Sequence, residues 1–209
     1  MFYAEDFSDG LRFGDIVRGF VTSAPRVDSP DPSTKPNRYE IEIDQTDWAV
    51  VLTPCCSIRS KKLVLTPLLP VLNAFYRNPY LGEDLTRVNR PMKPEQSVPP
   101  RVWDSMSEED KAARFDWDHP LAYAFNNLFV YQSHDLLPTY ELDTRRGRQQ
   151  TGYYMVDFER ACPVLCDQVQ SPKQSPVKTK LLELSIDARS DLRDKLADYY
   201  GRVPAEDRV

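Results

Sequence analysis

The sequence predicts a mainly β protein with some α: a small barrel of five to seven mostly antiparallel strands, an inserted loop and helix segment, and a C-terminal helix. Three observations predict it. "RYEIEID" (38–44) alternates, with Tyr39, Ile41 and Ile43 on one face and Arg38, Glu40, Glu42 and Asp44 on the other, the period-two pattern of a half-buried strand. "WAVVLT" (48–53) is apolar on both faces, as a central strand is. "LSIDARSDLRDKLADYYG" (184–201) has Ser185 as N-cap, Asp187 and Asp191 early, Ile186, Leu192, Leu196 and Tyr199 near helical spacing, and Gly201 as the stop. Its apolar face needs a surface to lie on.

The other elements follow in chain order. "LRFGDIVRGFV" (11–21) is a Gly-Asp turn feeding a first strand, and "SAPRVDSPDPSTKPN" (23–37), with four prolines, is expected to be a long polar loop. "KKLVLTPL" (61–68) is the strand after "AVVLT", so "PCCSI" (54–58) is the exit of a central strand, with one cysteine facing inward and the other outward. Residues 76–127 break the rhythm. There "RNPYLGEDLTRVNRPMKPEQSVPPRVWD" is irregular and "SMSEEDKAARFDWD" a short helix, with Ser107 and Asp110 as an acidic capping box. Strand patterns resume at "NLFVYQ" and "GYYMVDFERACPV", separated by the turn-prone "ELDTRRGRQQT".

A chain of 209 residues fits one well-buried domain with one core: barrel from 11–75 and 128–184, insertion 76–127, helix 185–201. Eighteen prolines against seven glycines make it rich in loops and edges. The net charge of -5 argues against wholesale nucleic-acid binding and leaves room for a local basic patch. No apolar run is long enough for a transmembrane helix, and the acidic start "MFYAEDFSDGLRFGD" lacks the basic and apolar regions of a secretory signal. A cytoplasmic protein with no membrane contact is expected.

Candidate chemistry is sparse. Cys55, Cys56, Cys162 and Cys166 are too few and too clustered for a disulfide scaffold and are expected to be reduced thiols. A nucleophilic cysteine would need a base or cation beside it, which Arg59, Lys61 and Lys62 could supply, yet free cysteine is mostly a small buried hydrophobe. The spacings "CC" and "CPVLC" are not those of a zinc knuckle, and in an extended strand positions 162 and 166 stand about 13 Å apart. His119 and His134 each sit beside an aspartate, in what are expected to be exposed polar turns. No cofactor is expected, since no phosphate loop, dinucleotide fingerprint or catalytic triad is present. The basic stretches "RSKK" and "RRGR" offer Arg59, Lys61, Lys62, Arg145, Arg146 and Arg148 to an RNA or DNA backbone, with Tyr76, Tyr80 or Trp103 as stacking faces.

The order of "GDIV" (14–17), "WAVVLTP" (48–54), "LVLTP" (63–67), "VDFERACPV" (156–164) and the capped helix 184–201 resembles the PemK/MazF-like family, the SH3-like barrel ribonucleases of bacterial toxin–antitoxin pairs. The matching pieces cover less than half of the chain. The chain also looks similar to bacterial proteins in which a strand ends in a Thr-x-x-Cys-Asp-like motif; here "TPCCS" places Ser57 at the acid. The toxin resemblance implies an SH3-like barrel and places Thr66 at the family's catalytic threonine. The family's Arg-Pro pair before the "VVL" strand is replaced by Asp47 and Trp48, and an acid repels the phosphate that an arginine would stabilise. Two readings follow. One is a non-catalytic binding or assembly module with a protein partner, set by the resemblance in a bacterial multi-protein system such as phage defence. The other is a metal-independent endoribonuclease using Thr66 with a relocated arginine, for instance Arg59.

Overall fold

In the computed structural model the described residues are 1–27, 39–44, 46–58, 62–77, 79–90, 98, 102, 105–107, 109–110, 125–144, 147–165 and 180–201. The backbone groups into two compact units. One comprises Glu5–Leu68 and Arg160–Glu183, the other Met1–Ala4, Leu69–Glu159 and Leu184–Val209, so the expected insertion 76–127 falls wholly within the second.

The first unit is built on a five-stranded antiparallel sheet. Its strands are β1 (Ile16–Arg18), β4 (Trp48–Val51), β5 (Lys62–Pro67), β11 (Cys162–Leu165) and β12 (Lys180–Leu182), in the order β11-β5-β4-β1-β12. Gly14, at φ 87°, makes the turn that launches β1, a conformation that favours glycine, and its N–H donates to the Val51 carbonyl at 2.7 Å. Val50 faces Thr66 and Ile16 across the ladder, so β4 is central as its sequence requires. One face of the sheet packs Val17, Ala49, Val51, Leu63 and Leu65 against Leu11 and Ile58. A second sheet is the ribbon β2 (Thr22–Val27) with β3 (Tyr39–Asp44), in which β2 lies against β5 and β11. The first part of the proline-rich stretch is therefore strand and not loop, and β3 is a strand whose Ile41 and Ile43 are exposed, not half-buried.

"PCCSI" departs from expectation. Cys55–Ser57 is a 3-10 turn closed by Ser57 N–H to the Pro54 carbonyl at 2.8 Å, so strand alternation does not apply and both cysteines are exposed. Thr53 keeps the ladder going before the turn, its Oγ1 accepting the Val64 N–H at 2.7 Å.

The second unit holds a three-stranded sheet, β6 (Leu69–Pro70), β10 (Tyr154–Asp157) and β7 (Leu128–Tyr131), in the order β6-β10-β7, and a hairpin, β8 (Tyr140–Thr144) with β9 (Gly147–Thr151). "GYYMVDFERACPV" is thus two strands in different sheets, broken by a 3-10 turn at Phe158–Arg160. The part of residues 77–90 expected to be irregular forms short helices, Pro79–Glu83 and the 3-10 segment Leu85–Asn89, the latter capped by Asp84 Oδ1 accepting from Thr86 N–H at 3.0 Å, while most of 91–104 and of the helix expected over 105–118 lies outside the described residues. Ser107 caps as expected, its Oγ accepting the Asp110 N–H at 3.0 Å, while the Asp110 carboxylate accepts from the Ser107 hydroxyl at 2.7 Å, the side-chain partner of the expected box. The core contains Val71, Phe75, Leu81, Leu85, Val88, Leu128, Val130 and Met155. Asn89 docks the 3-10 segment on β7, donating to the Val130 carbonyl and accepting its N–H at 2.7 and 2.6 Å.

The C-terminal helix runs Ile186–Gly201, with the Ser185 hydroxyl accepting the Ala188 N–H at 3.2 Å. Its buried face is Ala188, Leu192 and Lys195, whereas Ile186 is exposed. Lys195 reaches the carbonyls of Val88 and Arg90, at 2.6 and 3.3 Å, so the ammonium meets the last carbonyls of the 3-10 segment. The fold is mainly β. Among the described residues the strands form sheets of five, three, two and two, none of which closes into a barrel.

Candidate functional site: an exposed ribbon beside a buried charge cluster

Thr66, the threonine singled out by resemblance, is fully buried in β5 opposite Val50. Asp47, which the resemblance sets where the PemK/MazF-like ribonucleases carry an arginine, is exposed. Arg59, Lys61, Arg145 and Arg146 lie outside the described residues. Lys62 is exposed at the start of β5 in the first unit, and Arg148 is exposed on β9 in the second, within 3.7 Å of Glu141 and 3.5 Å of Asp143. Those carboxylates compete with a phosphate for the guanidinium. Tyr76 is no stacking platform: it packs on the second unit's core, and its hydroxyl is hydrogen-bonded to Thr151 at 2.5 Å. The side chain of Tyr80, and Trp103, His119 and Cys166, also fall outside the described residues. His134 Nδ1 accepts the Leu136 N–H at 3.1 Å, closing a local turn. Cys162 is buried on β11, and Cys55 Sγ accepts the Phe13 N–H at 3.4 Å. Among the described residues no group of three His, Cys, Asp or Glu side chains is placed to hold a metal.

Two features that sequence reasoning missed stand out in the first unit. The first is a buried charge cluster. Lys180 on β12 extends its ammonium to Asp15 Oδ2 at 3.0 Å, to Glu183 Oε2, to the Gly10 carbonyl at 3.0 Å and to the Ser8 hydroxyl at 3.2 Å. All three charged side chains are almost completely buried. Burial is the strongest influence on Asp15 and pushes its carboxyl up to about 6, outweighing Lys180 and the Arg12 N–H that donates to Oδ2 at 2.7 Å. Glu183 goes the other way. Burial raises it, but the hydrogen bonds from Lys180 and from the Ser8 N–H and hydroxyl, both 2.8 Å, together hold it down at about 2. Ser8 beside Lys180 has the residue types of a serine–lysine dyad. Here the Lys180 side chain is bonded to both carboxylates and to the Gly10 carbonyl as well as to Ser8, the pattern of a structural tie. The cluster therefore fastens residues 8–15 to β12. The charged residues were visible in the sequence, but nothing local links Asp15 to partners at 180 and 183.

The second feature is the ribbon. Its register sets Pro25 opposite Ile41, Ser23 opposite Ile43, Arg26 opposite Glu40 and Ala24 opposite Glu42. Alternation places Ile41 and Ile43 on one face, where they are 60% and 65% exposed, and Glu40 and Glu42 on the other. Val21, where the chain enters β2, is exposed as well. A period-two strand ordinarily buries its apolar row; here that row meets solvent.

In the second unit a cleft of about 400 Å³ is lined by Arg90, Asn89, Thr86, Gln132, Asp187 and Asp191 among others, a mixed-charge wall with no nucleophile and base side by side. Among the described residues no helix is long and apolar enough to cross a membrane. No protein family, curated protein or solved structure matches the chain.

Proposed function

We propose that the chain is a non-catalytic binding and assembly module that holds a protein partner through the β2–β3 ribbon. The observation that carries this reading is the exposed pair Ile41 and Ile43 on a regular strand, since exposed apolar side chains on a paired strand are what an interface buries. The charge cluster supports it by fixing the sheet that β2 lies against. The first unit's sheet, with β2 folded over β5 and β11, is compatible with an SH3-like, PemK/MazF-like barrel left open. The resemblance that suggested that fold also suggests the setting, a cytoplasmic, multi-protein bacterial system of the phage-defence kind.

The competing ribonuclease reading requires Thr66 to reach a phosphate, and complete burial of that hydroxyl counts against it. The test of the module reading is affinity purification of the full chain, followed by identification and reconstitution of any stoichiometric partner. Loss of that purified partner with Ile41→Ser/Ile43→Ser, in a chain that keeps its circular dichroism, is the expected result. A partner retained by that variant would refute the assignment to the ribbon.

A further inference from the structure

We infer that the open edge of β3 takes up a third strand from a partner segment in which apolar and basic residues alternate. The inference rests on the module reading and specifies the partner's chemistry. Among the described residues β3 pairs only with β2, and β2 is the strand that meets β5 and β11. Pro25 has no N–H, so it fits the ladder where its nitrogen points away from β3, which makes Pro25 and Ile41 a non-hydrogen-bonded pair. Strand alternation then turns the N–H and C=O groups of Glu40 and Glu42 toward β2, and those of Ile41 and Ile43 toward the open edge. An edge with outward donors and acceptors two residues apart is a template for strand addition.

The side chains decide what is added. A strand beside β3 sets every second residue next to Ile41 and Ile43 and the intervening ones next to Glu40 and Glu42. Arg26 stands 4.0 Å from Glu42, and among the described side chains of that face it is one cation against Glu40 and Glu42, a net negative charge. A second copy of this chain does not fit. Antiparallel pairing of β3 with itself matches the isoleucines but sets a row of glutamates against glutamates, and like charges directly opposite are destabilising. A strand alternating valine-like and lysine- or arginine-like residues satisfies both faces and the backbone together.

The experiment uses the full chain and short fluorescent peptides read by anisotropy. A peptide alternating valine and lysine is expected to bind at least about tenfold more tightly than one alternating valine and glutamate, and than one of the same composition in blocks. N-methylation of alternate residues along one peptide edge removes its ladder donors and is expected to abolish binding, while methylation along the other edge is tolerated. Glu40→Gln/Glu42→Gln should erase the preference for lysine over glutamate without unfolding the chain, since both side chains are exposed. Equal affinity for the lysine and glutamate peptides, indifference to methylation, or no binding of the valine–lysine peptide would each overturn the inference. If Ile41→Ser/Ile43→Ser still releases a natural partner while these peptides show no sequence preference, the module reading stands and the strand-addition inference falls. If that variant keeps its partner, the assignment of the partner to the ribbon falls, and the strand-addition inference with it.

Discussion

Asp15 shows how a residue's environment can outweigh its nearest partner. A lysine at 3.0 Å ordinarily lowers a carboxyl, yet complete burial, with Oδ1 lacking a hydrogen-bond partner, raises this one from 3.8 to about 6. Between about pH 4 and 6 the folded state therefore binds the proton more tightly than the unfolded chain, and the Asp15 contribution to stability falls as pH rises through that window. Glu183 has the opposite sign. Its carboxyl is lowered from 4.5 to about 2, so its contribution is present above about 4.5 and is lost on acidification toward 2. Urea denaturation across pH is expected to give a maximum near pH 4–5. Asp15→Asn should flatten the neutral side, a change on the order of 2–3 kcal/mol, and Glu183→Gln the acid side. A monotonic rise from pH 3 to 7 in the native chain would contradict this. The cysteines separate at the same scale: a maleimide should label Cys55 and Cys56 in the folded protein, with Cys162 reacting only on unfolding. Slow labelling of either exposed thiol would mean that the 3-10 turn is not where the structure places it.

Among the elements, those with the strongest local patterns were legible in the sequence and their surroundings were not. The apolar run Trp48–Val51 was expected to be central and is, since a strand buried on both faces has to be apolar on both. The Ser185 cap and the extent of the last helix were equally plain, because capping is decided within one turn. Which face of that helix is buried depended on distant carbonyls. Lys195 is a charged residue, but the end of the 3-10 segment gives its ammonium buried acceptors, while Ile186 at the first helical position faces solvent. Lys195→Met tests this pairing. It retains the volume but leaves the Val88 carbonyl buried without its donor, and is expected to cost about 1–3 kcal/mol in chemical denaturation. Unchanged or increased stability would show that the carbonyl finds another partner. β3 teaches the converse: alternation predicted a strand correctly and its burial wrongly, because period two states which residues share a face and not what covers that face. Pro25 misled in the same region. Proline is compatible with a strand where its nitrogen faces away from the paired neighbour, so a proline-rich composition did not exclude β2.

At the scale of the whole molecule, the question is whether the chain acts on nucleic acid. The candidate site was the least legible part of the sequence, because motif order fixed the position of Thr66 but not its access to solvent. Thr66 lies in a central ladder with Val50 opposite and Leu65 beside it in β5, and the exposed residue before β4 is an acid. A formal charge of -5 lowers the local concentration of any polyanion around such a site. The purified chain is accordingly expected to leave single-stranded RNA intact in metal-free buffer, over times in which a nuclease would turn over many times. Thr66→Ala is expected to act on the fold alone. Truncation of a buried threonine costs about 1 kcal/mol, a displacement of the denaturation midpoint without any change in the RNA readout. Cleavage by the native chain that disappears in Thr66→Ala, while the variant's midpoint stays within that range, would require the β4–β5 ladder to open on substrate and would restore the nuclease reading.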